Sequence, residues 1–361
     1  MDPLNRGQAN AGELQNLRAV TWGDAGNSTL RLCTYRNQSY LFKEYSTDFR
    51  AEVDDRALGE LIRWREGLPP DDRDELDRVA AWPRFQVRDG EALVGVLVPP
   101  APPAFYARTI SGEGSRPRSM DYLIRFSTGA GEVRGASVPD KKRAIGNAVA
   151  VLLWFHRQNV RVNDVRESNI LCTADGRAVL YVDCDVMMGP WGAVSSGAAP
   201  EYLAALLRHQ PDPFDFPTRE VELARVAWLA TFVLLDDFRL RDVPADRLAR
   251  HIGTADAELL RRTARIEAVD IDDWRELAED WTDPRAVAIA SVPRLPTGPV
   301  QENPTGWVPR SLRQASAPAH FESDIAWARS YQRVSRSWLL VAIIAALVTA
   351  ILIATLFAGG L

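Results

Sequence analysis

Lysine is scarce in this chain, and its scarcity isolates one candidate residue. The 361 residues include 43 lysines and arginines, yet the only lysines are Lys43, Lys141 and Lys142. Lysine carries a compact point charge on a flexible stem and arginine carries a planar fork, so the two are not interchangeable at every site. Lys43 stands alone among arginines in the sequence, and we therefore treat it as a candidate functional residue.

Cysteine and histidine are too few to build the sites that usually depend on them. Cys33, Cys172 and Cys184 form neither an even set nor a paired motif, which excludes a disulfide framework and favours a reducing compartment. The 4 histidines are scattered, so no zinc-ligand spacing is present. His156 ends an apolar segment, and we expect it to pack rather than to act as a base.

Charge of one sign is not concentrated anywhere in the chain. The formal net charge is −5, and arginines are interspersed with acids rather than forming blocks. This distribution gives no sign of a nucleic-acid-binding surface, so we expect no nucleic acid among the partners. The first residues, Met1–Arg6, lack an apolar core, so we expect no signal peptide in them.

A long uncharged stretch closes the sequence. Trp338–Leu361 contains no charged residue and is rich in leucine, isoleucine, valine and alanine. At about 1.5 Å per residue, a helix of this length would cross a hydrocarbon core of about 30 Å. Arginines precede the stretch, and the positive-inside rule then places the preceding domain in the cytoplasm. We therefore expect a flexible linker over residues 292–336, a transmembrane helix over residues 337–361, the lipid bilayer as a partner, and a location at the cell membrane.

The most informative segment places three polar side chains next to a predicted hairpin. Ile170–Cys172 and Ala178–Val182 are apolar runs on either side of a turn, and together they predict two paired strands. Such a hairpin would bring Asn169 close to Asp183, and two hard oxygen ligands suit Mg²⁺. Asp164 would lie beside them, placed to accept a proton from an attacking hydroxyl. The alternative is that Asp164 and Asn169 only cap turns.

This order of residues resembles the catalytic loop and metal-binding aspartate of protein kinases. Asp164, Asn169 and Asp183 match the kinase residues by type and order, and the resemblance implies Asp164 as the catalytic aspartate and Asn169 and Asp183 as Mg²⁺ ligands. Arg166 stands where many kinases place a phosphate-facing lysine, which implies a role in steadying the transferred phosphoryl group. The chain departs from the family at Asn163, where kinases have arginine, and at Cys184-Asp185, where they have Phe-Gly.

Lys43 fits the same resemblance. It lies in Ser39–Tyr45, an alternating run that predicts a strand and looks like the third strand of a kinase N-lobe, whose lysine contacts the α- and β-phosphates of ATP. The alternative is an ordinary surface lysine. Residues Phe49–Glu66 predict one amphipathic helix, on which Glu60 is the expected partner of Lys43 and Glu52 is the competitor. Both glutamates would otherwise be solvated helix residues.

Two further segments complete the expected nucleotide site. Gly23 and Gly26 lie in a segment that looks like a reduced glycine-rich loop over the ATP phosphates, although it also fits an ordinary hairpin turn. An apolar strand over Ala92–Val98 ends in a proline-rich connector. By resemblance, the connector would contact adenine through the Pro99 carbonyl and the Ala101 N–H, which a proline lacks. The alternative is a plain linker.

The complete expectation is an α+β, bilobal protein kinase-like fold plus one C-terminal transmembrane helix. Its parts are a flexible N-terminus (1–14), an N-lobe (15–98), a hinge (99–104), a C-lobe (105–291), and then the linker and the span. The C-lobe includes predicted helices over Lys141–Arg157 and Glu220–Leu235, and Ala199–Glu201 matches the motif that closes a kinase activation segment.

The expected function is that of an ATP- and Mg²⁺-dependent serine/threonine protein kinase acting on an unknown protein substrate. The alternative is a pseudokinase that serves as a membrane-anchored nucleotide-binding scaffold.

Overall fold

The computed structural model describes residues 7–25, 27–108, 115–128, 131–133, 135–195, 217–267 and 270–282. Contacts between residues divide the chain into two compact units. The first unit, over residues 1–107, 115–126 and 134–307, includes the large sheet and all the described helices. The second unit contributes Arg108, 127–128 and 131–133 to the described part, all of them in short strands.

The elements follow one another as strands first and helices later. The described strands are β1 (Gln8–Asn10), β2 (Gln15–Ala25), β3 (Ser28–Tyr35), β4 (Gln38–Tyr45), β5 (Phe85–Asp89), β6 (Ala92–Val98), β7 (Tyr106–Arg108), β8 (Ser115–Pro117), β9 (Phe126–Thr128), β10 (Gly131–Val133), β11 (Ile170–Cys172) and β12 (Val179–Tyr181). The described α-helices are α1 (Thr47–Glu52), α2 (Asp55–Gly67), α3 (Pro70–Val79), α4 (Val138–Arg157), α5 (Arg219–Leu235), α6 (Ala245–Ile252), α7 (Thr254–Ala264) and α8 (Ile271–Trp281).

A 6-stranded sheet in the order β1-β5-β6-β4-β3-β2 forms the N-terminal part of the fold. Strand β4 lies inside this sheet, because it pairs antiparallel with β3 on one side and with β6 on the other. Lys43 is therefore opposite Leu30 on one neighbour and Val96 on the other, in a strand that cannot shift without breaking two ladders. The strand predicted over Ser39–Tyr45 is confirmed.

Strand β1 corrects the expectation of a flexible N-terminus over residues 1–14. Gln8–Asn10 pairs parallel with β5, and Asn10 caps a short 3-10 turn by accepting a hydrogen bond from the N–H of Gly12 at 2.8 Å. Leu14 is buried in the cluster that lies against the sheet. Three residues are too few for a strand to be recognised by alternation, which is why the pattern did not predict β1.

The segment predicted as one helix over Phe49–Glu66 is in fact two helices, α1 and α2. The side chain of Asp54 accepts a hydrogen bond from the N–H of Ala57 at 2.9 Å and so begins α2 as its N-cap. The N–H of Asp54 donates to the carbonyl of Val194 at 2.7 Å. This bond to another segment stabilises the interruption between α1 and α2. Glu52 and Glu60 therefore belong to different helices.

The helical part is organised around α4 and α5. Ser137 caps α4 by accepting from the N–H of Asp140, and a proline occupies its first turn, where a missing N–H costs nothing. Nearly every residue of α5 is buried, as expected for a helix that is mostly apolar around its circumference. The helices predicted over Lys141–Arg157 and Glu220–Leu235 are confirmed, and each begins slightly earlier than the pattern indicated.

The expectation of a fold that includes a transmembrane helix is corrected by the structure. No helix in the described part of the chain is long and apolar enough to cross a membrane. The longest, α4, has 20 residues but carries Asp140, Lys141 and Lys142 in its first turns. Residues 292–336 and 337–361 lie outside the described residues, so the bilayer partner and the membrane location stay predictions from sequence. The described fold is α+β.

Candidate functional site

A short hairpin carries the polar residues that the sequence singled out. Strands β11 and β12 are antiparallel, with Ile170 opposite Tyr181, so the predicted hairpin is confirmed. The Tyr181 hydroxyl donates to the carbonyl of Ala148 at 2.8 Å, and this bond fixes the hairpin to α4. At the open end, the N–H of Val182 donates to the carbonyl of Asn169 at 2.9 Å. The next residue, Asp183, has a backbone angle φ of 57°. This is a left-handed conformation, which aspartate tolerates better than most residues.

Three polar residues next to this hairpin contact one another: Asp164, Arg166 and Asn169. The Asn169 side-chain amide donates to Asp164 Oδ2 at 2.9 Å and to the Asp164 carbonyl at 3.0 Å, and Arg166 forms an ion pair with the same carboxylate. Burial raises the pKa of Asp164, and the positive charge of Arg166 only partly offsets that effect. Asp164 Oδ1 has no hydrogen-bond partner among the described residues, which leaves one buried acceptor free for a hydroxyl donor.

Lys43 lies between two carboxylates. Its Nζ is 2.9 Å from Asp185 Oδ1 and 3.1 Å from Asp183 Oδ1, and the residue is only 7% exposed. Burial lowers the pKa of Lys43, but the charges of Asp183 and Asp185 outweigh burial and raise it above its ordinary value. Lys43 is therefore a fixed positive charge. The structure brings it into direct contact with Asp183.

Asp185 is the site residue that the sequence analysis missed. Its side chain is 0% exposed, and its second oxygen accepts a hydrogen bond from the Tyr45 hydroxyl at 2.7 Å. Burial and the neighbouring Asp185 charge raise the pKa of Tyr45 well above its ordinary value, so the phenol keeps its proton. A signal for this pairing was present in the sequence: Lys43 and Tyr45 are two residues apart on a strand and so point to the same face.

Neither glutamate expected to hold Lys43 contacts it. Glu60 Oε1 pairs with Arg56 Nε at 2.9 Å, one turn away on α2, and the Arg56 side chain is 86% exposed. Glu52 is exposed at the end of α1. The physical reason is the orientation of α2, which buries the apolar side chains of Ala57, Leu58, Leu61 and Ile62 and leaves Glu60 off that stripe.

The expected glycine-rich loop is a tight connection between two strands. Strand β2 includes Gly23 and continues to Ala25, which pairs with Ser28 at the start of β3. Gly26 lies outside the described residues. The register between β2 and β3 is irregular between Ala19 and Asp24. The contact of Gly23 and Gly26 with phosphates stays a prediction.

The expected adenine contacts lie where β6 ends. Val98, the last residue of β6, pairs with Leu41 of β4, and the proline-rich connector follows at once. Ala101 packs against a small buried cluster that includes Leu171 of the hairpin. In the described part of the chain, neither the Pro99 carbonyl nor the Ala101 N–H has a hydrogen-bond partner. Their contact with adenine stays a prediction.

A buried network of charged side chains forms hydrogen bonds with the backbone of Asn163, the residue immediately before Asp164. Glu222 Oε1 accepts from the N–H of Asn163 at 2.6 Å, and Glu222 Oε2 is 2.7 Å from His156 Nε2. Arg225 donates to the Asn163 carbonyl. Glu222 is 0% and Arg225 1% exposed, and both lie on the otherwise apolar α5. His156 therefore contributes to packing and hydrogen bonding, the role that the sequence indicated.

The donors present suit a hard cation bound together with a phosphate. No group of three or more histidine, cysteine, aspartate or glutamate side chains is arranged as a metal centre within the described ranges. Mg²⁺ does not require one, since it commonly takes one or two protein oxygens together with phosphate oxygens and water. The Asp183 side chain is 37% exposed and has one oxygen toward Lys43, which leaves the other available. Asp183 and Asn169 therefore fit the chemistry of a phosphate-bound Mg²⁺.

Comparison with known proteins adds nothing to this geometry. No model of a known protein family matches the chain, and a search of curated proteins finds no match. Any functional conclusion therefore depends on the residues themselves.

Proposed function

We propose that this chain is an ATP- and Mg²⁺-dependent phosphotransferase of the serine/threonine protein kinase class. The observation that carries the proposal is the convergence of Lys43 with Asp183, whose charged atoms are 3.1 Å apart although the residues lie far apart in sequence. Strand β4 supplies the ammonium and the hairpin supplies the carboxylate. A fixed ammonium beside an acid with a free oxygen is what a metal–triphosphate ligand requires.

Each residue of the site has a role in this proposal. Lys43 would hold the α- and β-phosphates, Asp183 and Asn169 would hold Mg²⁺, and Arg166 would steady the transferred phosphoryl group. The cation would supply neutralisation of phosphate charge. Gly23 and Gly26 would approach the phosphates, and the Pro99 carbonyl and Ala101 N–H would bind adenine.

Asp164 would bind the acceptor hydroxyl. Its unpaired Oδ1 is the available acceptor, and its Oδ2 is already fixed by Asn169. Burial raises the pKa of Asp164, which makes its carboxylate a better proton acceptor than an exposed one. Catalysis would depend mainly on positioning and on charge stabilisation. The preference for a protein acceptor rests on Ala199–Glu201, which lies outside the described residues.

A second candidate is a nucleotide-binding scaffold without turnover. The observation that favours it is that the proposed catalytic acid and the proposed metal-binding acid already have cationic partners: Asp164 pairs with Arg166, and Asp183 pairs with Lys43. If these pairs persist when ATP is bound, the chain would bind nucleotide but would not transfer phosphate.

The decisive experiment is a phosphate-transfer assay with Mg-ATP labelled on the γ-phosphate, using the chain itself and a generic protein as acceptors. We expect transfer by the natural chain and a loss of at least about a hundredfold in Asp164→Asn, because a positioned base contributes roughly that much. Transfer that survives the substitution would refute the assignment of Asp164. A thermal-shift titration with Mg-ATP, combined with this assay, separates the two candidates. Because binding to the native state raises its stability even without turnover, a rise in stability with no phosphate transfer would favour the scaffold.

A further inference from the structure

We propose that Asp185, and not an acid on α2, is the positioning residue that orients Lys43 toward the phosphates. This inference rests on the proposed function, because it assigns a role within the same nucleotide site. The Lys43–Asp185 contact is the shorter of the two carboxylate contacts that Lys43 makes, at 2.9 Å against 3.1 Å.

The Lys43–Asp185 contact is buried and fully hydrogen-bonded on the Asp185 side. Asp185 is 1% exposed, and each of its oxygens is used, one by Lys43 and the other by the Tyr45 hydroxyl. Lys43 and Tyr45 lie on the same face of β4, so one strand supplies both donors. A short 3-10 helix over Cys184–Val186 fixes the acceptor directly after the hairpin. A charge buried this deeply is retained only when it is paired and hydrogen-bonded.

Helix α2 offers no alternative partner in the described part of the chain. Its buried positions are all apolar, and Glu60 is paired with Arg56 on the outer surface. The orientation of Lys43 is therefore set within β4 and the segment after β12. A displacement of α2 would leave the Lys43–Asp185 pair intact, so the site would not be switched by the movement of that helix.

Asp185 also has a consequence for Asp183. Both carboxylates compete for the single ammonium of Lys43. With Asp185 present, Lys43 is shared, and Asp183 keeps an oxygen for the cation. Without Asp185, the ammonium would turn fully to Asp183 and would weaken its ability to bind Mg²⁺. We therefore expect the loss of Asp185 to weaken Mg-ATP binding through Asp183 as well as through Lys43.

The scarcity of lysine allows a direct test that needs no nucleotide. The full chain is treated briefly with a small amine-acylating reagent, and mass spectrometry gives the labelling rates of Lys43, Lys141 and Lys142. In Asp185→Asn we expect Lys43 to be labelled at least about fivefold faster relative to Lys142, because the ammonium loses one of its two anionic partners. Lys141 is 2% exposed and serves as the control for unfolding, so its rate should not change. An unchanged Lys43 rate in this variant would overturn the inference.

The matched control removes the acids of α1 and α2 instead. Glu52→Gln with Glu60→Gln alters only solvent-accessible side chains, so this variant will fold even if Asp185→Asn does not. We expect Lys43 labelling and the Kd for Mg-ATP, measured by calorimetry, to stay within about twofold of the natural chain. A tenfold loss of Mg-ATP affinity in this variant would show that an α1 or α2 acid orients Lys43 and would end the present proposal.

The binding measurement also separates this inference from the proposed function. We expect Asp185→Asn to weaken Mg-ATP binding at least about tenfold. If the natural chain binds no Mg-ATP, the proposed function fails, and the nucleotide role of Asp185 fails with it. If the natural chain binds and Asp185→Asn binds equally well, the proposed function stands and only the role of Asp185 is refuted.

Discussion

The side chain of Glu222 forms a hydrogen bond with the backbone of Asn163. The carboxylate accepts the Asn163 N–H at 2.6 Å, and Arg225, one turn later on α5, donates to the carbonyl of the same residue. Asn163 has φ 68, a left-handed conformation that the two bonds keep in place. Asp164 follows immediately, so the most buried acid of α5 determines where the candidate base lies.

The first prediction concerns this network. Glu222→Ala should destabilise the fold by about 3 kcal/mol or more, because it leaves the buried His156 and the Asn163 N–H without their acceptor and removes a neighbouring negative charge from the buried Arg225. Urea unfolding followed by circular dichroism measures the change. Glu220→Ala, two residues earlier and exposed, is the control and should remain within about 0.5 kcal/mol. Equal effects of the two variants would contradict the prediction.

The second prediction concerns the role of Lys43. Lys43→Met should reduce phosphate transfer at least about a hundredfold, because an apolar side chain cannot replace a charge-assisted contact with phosphate. Lys142→Met is the control, since the ammonium of Lys142 lies over the ring of Trp281, at the end of α8, at 5.0 Å. Its activity should remain within about twofold. Activity in Lys43→Met near that of the natural chain would exclude Lys43 from the site.

The third prediction concerns Gly95, which lies opposite Glu44 in the ladder next to Lys43. A Cβ atom at Gly95 would lie 2.1 Å from the Lys43 carbonyl oxygen, so Gly95→Ala must push β6 away from β4. We expect a loss of at least about 2 kcal/mol in unfolding free energy and weaker Mg-ATP binding.

Gly67, the last residue of α2, provides the matched control for Gly95. A Cβ atom there would meet nothing within 4 Å, and Gly67→Ala should be neutral or stabilising by up to about 1 kcal/mol. A well-folded Gly95→Ala variant with normal binding would mean that the two strands can separate without cost.

The fourth prediction concerns the pH dependence of stability. Burial raises the pKa of Asp121 to about 6, and the hydrogen bond from Ser119 only partly offsets this. The folded chain therefore holds this proton more tightly than the unfolded chain, whose aspartate titrates near 4. The contribution of Asp121 to stability is fully present below about pH 4, is lost as the pH rises to about 6, and is constant above that.

Asp121→Asn isolates this effect. Because asparagine has no charge to bury, the variant should match the natural chain below about pH 4 and should be more stable at pH 7 by up to about 3 kcal/mol. Urea unfolding at a series of pH values measures the difference. A difference that does not change between pH 4 and 7 would mean that Asp121 titrates normally in the fold.

Short-range sequence patterns correctly predicted several strands and helices. Strand β4, the hairpin β11–β12 and the helices α4 and α5 follow from alternation, turn residues and helical periodicity, and all four are present. The break at Asp54 was missed because the apolar spacing continues across it. Only the N-cap bond to Ala57 and the contact from Val194 mark the break.

Site residues whose partners are distant in sequence were harder to predict. Lys43 was recognised because it is the only lysine in its region, but its partner was placed on the wrong element. A sequence spacing cannot give the rotation of α2, which turns Glu60 outward toward Arg56. The pairing of Lys43 with Asp185 spans 142 positions and depends on how the hairpin lies against β4.

Strand β1 has a practical consequence for handling the protein. Its pairing with β5, supported by the bond from the Gln86 N–H to the Gly7 carbonyl at 2.8 Å, covers the backbone groups along that side of β5. A shortened chain that starts after residue 10 would expose this row of donors and acceptors to other molecules. Open strand edges recruit further strands, so such a truncation should promote self-association and aggregation.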